Sequence, residues 1–368
     1  MKFEPLTREE VRSVVRGKGC ARRVPVNLHF WTRGNWGDKQ AEVKQILDDY
    51  PEDIQIIRLT WPQVHEAPAD DPEYRWVNYD ATAVSDKVGH ESRVAIDDWS
   101  RLDGILDAFP DPHYPNLIPP GARGDGRYLG AQFFFCLYEK HWQLRGMSNA
   151  LMDYYLYPDE VHRLFRKLTD FYKIVIRRAK EELSIDAFFT SDDLGTQTGT
   201  FFSEEIFDQF FVPYYRELVD TADAVDVDFW LHACGCIDKF IPKLIDIGVD
   251  ILHPIQKYTM NEKKIIEKYG GRICFNAGFD VQRIIPWGTP DEVRQEVRNM
   301  MDTFFRRDGR FVFTAGNMIH GDCPIPSLEA LYNEAFVYGT EIVKRCEIRL
   351  NSRLEIGMSS VTHGFGTW

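Results

Sequence analysis

His232 and Cys234 place an imidazole and a thiol two residues apart, directly after the apolar run Phe229-Trp230-Leu231. That run is short enough to be a buried strand. Alternate residues of an extended segment point the same way, so the two side chains can meet one ion. Nitrogen and sulfur donors suit zinc, and a zinc with an open position activates a bound thiol or water. A thiol held on zinc loses its proton at neutral pH and becomes a nucleophile for alkyl transfer. The candidates for a third ligand are Cys323, Cys236 and the side-chain oxygen of Gln256. The competing reading is a buried histidine packed beside inert core thiols. The bare H-x-C motif leaves the two evenly matched, and its place at a strand end favours the metal.

Asp192-Asp193 follows another buried run, Ala187–Thr190. Either carboxylate could act as a general acid or base, or bind a substrate nitrogen. With equal weight, the pair could simply order the turn at Gly195. His320 and Asp322 stand beside Cys323, where a solvated loop histidine is the plain alternative. Asn276, Asp280 and Asn317 end or follow apolar runs and are substrate-facing candidates; Asp280 could equally form the loop after Gly278. Arg33 and Arg145 could clamp carboxylates, although a lone arginine more often forms a structural ion pair. Trp31, Trp36 and Trp61 could wall an apolar pocket.

The elements that must position these residues alternate in type. Strands are predicted at Val24–Phe30, Ile54–Leu59, Tyr128–Leu137, Ala187–Thr190, Phe229–Leu231, Val249–Leu252, Arg272–Phe275 and Phe311–Phe313. Amphipathic helices fall between them, including one from Pro158 to Leu183, and Ser327 to about Arg345 closes the series. Thr7-Arg8-Glu9-Glu10, Ser203-Glu204-Glu205 and Thr289-Pro290-Asp291-Glu292 read as helix starts. This rhythm favours an α/β fold, a (β/α)8 TIM barrel, over a doubly wound sheet. Residues 61–117 form an irregular insertion after the second strand; Trp76–Thr82 and Glu91–Ala95 read there as hairpin material. The expected organisation is a single barrel domain over residues 1–368 with a polar tail at 347–368.

The chain has 368 residues, 44% of them hydrophobic and 27% charged, with a formal net charge of −13. Such an acidic balance argues against nucleic acid and acidic membrane surfaces as partners and leaves a small molecule. The N-terminus lacks the apolar core of a signal peptide and no apolar run approaches transmembrane length, so a cytoplasmic location is expected. Seven cysteines, only two of them close in sequence, fit free or metal-bound thiols better than a disulfide framework.

Taken together, Ser191-Asp192-Asp193-Leu194-Gly195-Thr196-Gln197, His232-Ala233-Cys234-Gly235, Ile247-Gly248-Val249-Asp250-Ile251-Leu252, Gly288-Thr289-Pro290-Asp291-Glu292-Val293 and Gly316–Pro324 resemble the uroporphyrinogen decarboxylase superfamily. That superfamily includes the decarboxylase of haem synthesis and zinc methyltransferases of corrinoid-dependent methyl transfer. The resemblance implies a (β/α)8 barrel with its site at the strand carboxyl ends, and a homodimer. Its methyltransferase branch implies zinc on His232 and Cys234 and a corrinoid on a partner protein. Those enzymes take a third thiol just after the last strand, where this chain has Gly316-Asn317 and Cys323 follows several residues later. The decarboxylase branch resembles the chain at Gly316–Asp322, making His320 its active-site histidine. Of that branch's arginine-rich amino-terminal loop, only Arg33 has a counterpart. The leading expectation is a zinc-dependent methyltransferase, with Asp192, Asp193 and His320 handling protons or substrate. The alternatives are a metal-independent decarboxylase of uroporphyrinogen or a related acid, and a corrinoid- or metal-binding protein without catalysis.

Overall fold

The computed structural model describes residues 3–60, 67–76 and 94–361, with side chains to residue 348. Eight strands alternate with helices: β1 (Val26–Asn27), β2 (Ile54–Arg58), β3 (Tyr128–Gln132), β4 (Ala187–Ser191), β5 (Asp228–His232), β6 (Ile251–His253), β7 (Cys274–Phe279) and β8 (Phe311–Ala315). They form one parallel sheet in the order β1-β8-β7-β6-β5-β4-β3-β2, the strand order of a (β/α)8 barrel. Short helical pieces at Trp99–Arg101, Leu102–Asp107 and Pro115–Leu117 occupy the irregular stretch after β2. Trp61 and most of the expected hairpin material, residues 77–93, lie outside the described residues. No helix among the described residues is long and apolar enough to cross a membrane.

By compactness the chain falls into two units, Met1–Asp53 with Glu262–Trp368, and Ile54–Asn261. Within Ile54–Asn261, every residue of β3, β4, β5 and β6 is buried. Parallel strands covered on both faces read as continuous apolar runs, and these do. On one face Phe188 packs against Tyr172 of the helix Pro158–Leu183, with ring centroids 6.1 Å apart. On the other, interior face Phe189 stacks on Trp230 at 4.1 Å. Two residues further along, Ser191 and His232 are paired in register and share that interior face. The helix Pro158–Leu183 keeps its predicted bounds, with Pro158 at its start and Ser184 in the left-handed region (φ 56°) at its end.

In the other unit, Thr7 and Glu10 form the expected capping box of the helix Arg8–Val15, and Thr289 and Glu292 form that of Pro290–Phe304. The first strand is shorter than predicted. Beyond Asn27, the N–H groups of Leu28 and His29 turn to the Glu52 carboxylate, and those of Trp31 and Thr32 fold back onto Leu28 O. The third strand also stops early, at Gln132, and Phe135 takes a left-handed φ of 71° soon after. β7 runs longer than predicted, which puts Asn276 inside a strand. The last helix, Ile325–Val361, continues through much of the expected polar tail, because no proline or glycine interrupts Arg345–Glu355.

The buried Asp53 accepts hydrogen bonds from the N–H groups of Leu6 (2.7 Å) and Val26 (2.8 Å) and from both terminal nitrogens of the buried Arg23. One carboxylate thereby ties the amino-terminal segment to β1. Asp53→Ala strands a buried guanidinium and two main-chain donors, and is expected to destabilise the protein by roughly 3–5 kcal/mol. Urea denaturation checks this; a loss no greater than a surface ion pair gives, about 1 kcal/mol, would refute it.

Candidate metal centre

The carboxyl ends of β4 and β5 lie side by side because their register pairs Ser191 with His232, and Asp192 N–H donates to His232 O at 2.9 Å. The loops that follow meet backbone to backbone at Gly195 and Gly235. A Cβ on Gly235 would sit 2.2 Å from the carbonyl carbon and oxygen of Gly195, and one on Gly195 would sit 2.7 Å from Cys236 N. Gly235 also holds φ at +86°, a conformation that suits glycine. With the loops so close, Cys234 N–H donates to Asp193 Oδ1 at 2.8 Å, and Cys236 N–H to Thr196 O at 2.7 Å.

Three side chains converge there. His232 Nε2 lies 3.2 Å from Cys234 Sγ and 3.5 Å from Asp193 Oδ1. Among the described residues, Asp193, His232 and Cys234 are the group whose ligand atoms all fall within 4.8 Å of one another and could hold a metal ion. His232 is buried, its ring 5.8 Å from that of Phe134, while the Asp193 side chain is 42% exposed. Burial disfavours a charged imidazole, but charge at Cys234 and the Asp193 carboxylate outweigh it and hold His232 well above the usual histidine range. Burial likewise opposes ionisation of Asp193, yet His232 and the Cys234 N–H hold that carboxyl below its usual range.

Behind the trio sits a buried acid. Ser191 Oγ accepts from Phe135 N–H at 3.1 Å and donates to Glu139 Oε2. Burial, then the charges of Asp193 and Asp192, lift Glu139 well above the carboxylate range. Its neighbour Lys140 is fully buried and pushed down to about 7 by that burial.

A profile of the uroporphyrinogen decarboxylase (URO-D) family matches residues 142–336, more than half of the chain. The chain belongs to that family. Its fold agrees. A methyltransferase from Methanosarcina mazei superposes with a TM-score of 0.59 at 15% identity, covering 90% of this chain and 99% of that one. An L-ribulose 3-epimerase gives a TM-score of 0.45 at 9% identity, covering 89% and 97%. No curated protein matches the sequence.

The other residues that sequence analysis singled out in this URO-D chain have varied surroundings. Asp192 is buried and accepts from Leu137 N–H (2.8 Å), Glu139 N–H (2.8 Å) and Tyr215 O–H (2.5 Å), so it pins the start of the helix Tyr138–Arg145. Burial raises it to about 6 against those bonds. Gln256 Oε1 is engaged by Gly235 N–H at 2.6 Å. Cys236 Sγ faces Asp238. Cys323, expected as a third ligand, is not in the trio; its thiol donates to the carbonyls of Ile285 and Pro324, and burial pushes it up to about 12. Asp280 caps the turn into Ile284–Trp287, accepting from the N–H groups of Gln282, Arg283 and Ile284. Asn276 is fully buried, and Asn317, His320 and Arg33 are exposed, with Arg33 over the Phe30 ring at 5.8 Å. Arg145 forms a buried pair with Asp153. Glu139, Lys140 and His253 are not among the sequence-predicted site residues; of the three, only His253 carries a signal, standing at a strand end as His232 does.

Two outcomes follow from this packing. Gly235→Ala adds left-handed strain and a clash with Gly195, and is expected to lower unfolding free energy by at least about 1–2 kcal/mol; an unchanged urea midpoint would show that the loops part freely. Lys140 sits at about 7 when folded against an ordinary 10.5. The unfolded chain therefore binds that proton more tightly, and stability from this group rises with pH between those values. Lys140→Met should flatten that rise and raise stability at neutral pH, whereas parallel pH profiles for the two proteins would refute the assignment.

Proposed function

We propose that this URO-D protein is a zinc-dependent methyltransferase, moving a methyl group between a corrinoid or small methylated donor and a thiol-type acceptor. The observation that carries the reading is the trio of His232, Cys234 and Asp193. Zinc bonds of about 2.0–2.3 Å at tetrahedral angles put neighbouring ligand atoms roughly 3.3–3.6 Å apart. Of the two separations at His232 Nε2, 3.5 Å to Asp193 falls within that spacing and 3.2 Å to Cys234 lies just below it.

When bound, zinc would lower the pKa of an acceptor thiol enough to present it as a thiolate. The remaining steps belong to the chain's own groups. His232, Cys234 and Asp193 supply three donors and leave a fourth position for the acceptor. Asp193 is held in place by the Cys234 N–H, so its carboxylate is oriented before any ligand arrives. The Phe134 ring lies 5.8 Å from the His232 ring and adds an apolar neighbour to it. Burial opposes ionisation of Glu139, so releasing its proton would leave a buried charge. Glu139 is therefore better suited to donate a hydrogen bond than to hold the anion.

Elemental analysis of freshly purified protein is expected to find zinc in stoichiometric amount, lost in His232→Ala and Cys234→Ala. Asp193→Ala should weaken zinc binding by more than about tenfold, while Cys323→Ser leaves it unchanged. Protein without metal that releases carbon dioxide from a porphyrinogen, unaffected by chelator, would overturn the reading in favour of decarboxylation.

A further inference from the structure

The ring of His232 has two nitrogens, and they face different surroundings. Nε2 faces Cys234 Sγ and Asp193 Oδ1, the side on which a metal would bind. Nδ1 lies 2.6 Å from Nδ1 of His253, the last residue of β6. The ring centroids lie 4.8 Å apart with the planes inclined by 30°, and His253 is fully buried. β5 and β6 set this arrangement through their register, which pairs His232 with His253. Ala233 N–H then donates to His253 O at 2.9 Å and locks the end of the pair.

Two imidazole nitrogens at that distance cannot both present lone pairs; one proton lies between them. If Nε2 of His232 gives its lone pair to a metal, the neutral ring carries its proton on Nδ1. His253 Nδ1 must then be the acceptor, and its own proton sits on Nε2. Metal-ligating histidines almost always donate their other N–H, commonly to a carboxylate, a main-chain carbonyl or water. In this chain the partner is a second imidazole. It fixes the ring plane and tautomer of His232 without adding a negative charge to a cluster that already contains Asp192, Asp193 and Glu139.

We propose that His253 is the positioning residue of the metal centre, accepting the Nδ1–H of His232 and so presenting Nε2 to the ion. The proposal rests on the zinc reading above and deepens it. His253 touches no ion and no substrate; it acts through His232.

Zinc affinity, measured by competition with a chromogenic chelator on the full chain, separates the outcomes. His253→Phe keeps a buried ring and removes the acceptor, and should weaken zinc binding roughly 10–100-fold. His253→Asn places an amide oxygen near the lost Nδ1 and should restore most of that affinity. Imidazole 15N spectra of the zinc-loaded wild-type protein should show His232 protonated on Nδ1 and His253 on Nε2. A Phe variant that binds zinc as tightly as wild type, or an Asn variant as weak as Phe, overturns the proposal. So does a His253 protonated on Nδ1 in the wild-type spectrum, a result that needs no variant to fold. Wild-type protein that takes up no zinc fails at an earlier step: it removes the zinc reading, and this proposal with it.

Discussion

The closeness of two main chains governs the site. Gly195 and Gly235 touch where the loops after β4 and β5 pass each other, with no room for a side chain on either. From that contact the rest follows by short steps. Cys234 N–H reaches Asp193, Cys236 N–H reaches Thr196 O, and the sulfur and carboxylate end on the same side as the His232 ring. The contact of Cys236 N–H with Thr196 O is main chain to main chain, and Cys234 N–H holds the Asp193 carboxylate. The donor atoms are arranged by backbone hydrogen bonds and strand register, which cost little reorganisation when a ligand binds.

The adjacent acids Asp192 and Asp193 show how one step along the chain divides structural from chemical work. Asp192 turns inward and spends its oxygens on two main-chain N–H groups and the Tyr215 hydroxyl. Asp193 turns towards the loop of β5 and stays partly open to solvent. With Glu139 close behind, three carboxyl groups crowd one imidazole. The physical responses differ: burial pushes Glu139 and Asp192 up, whereas Cys234 and Asp193 hold His232 up against its own burial. Such a cluster favours a cation where Asp193, His232 and Cys234 meet.

The barrel was legible because its strands are uninterrupted apolar runs and its helices carry caps that can be read from single residues, as at Thr7, Pro158 and Thr289. The site was legible in part for the same reason: His232-x-Cys234 and Asp192-Asp193 directly follow such runs. Strand ends were less so. Nothing in Val24–Phe30 announces that Glu52, some two dozen residues away, would capture the N–H groups of Leu28 and His29 and end the strand. The third donor was hidden for a related reason. Asp193 and Cys234 are 41 positions apart, and the β4–β5 register together with the glycine contact makes them neighbours. Glu139 and Lys140 sit in a helix whose buried face is charged, so no amphipathic pattern could mark them as interior.

A carboxylate in place of a second thiolate changes less than the difference in element implies. Either ligand brings one negative charge, so His232, Cys234 and Asp193 would neutralise a divalent ion as fully as one histidine and two cysteines would. A thiol bound as its anion then leaves the centre with one net negative charge in both cases, and that excess electron density makes a metal-held sulfur nucleophilic. A charged partner on His232 would alter this count, whereas the imidazole of His253 does not. His232, Cys234 and Asp193 alone would therefore supply the charge balance that a divalent ion needs.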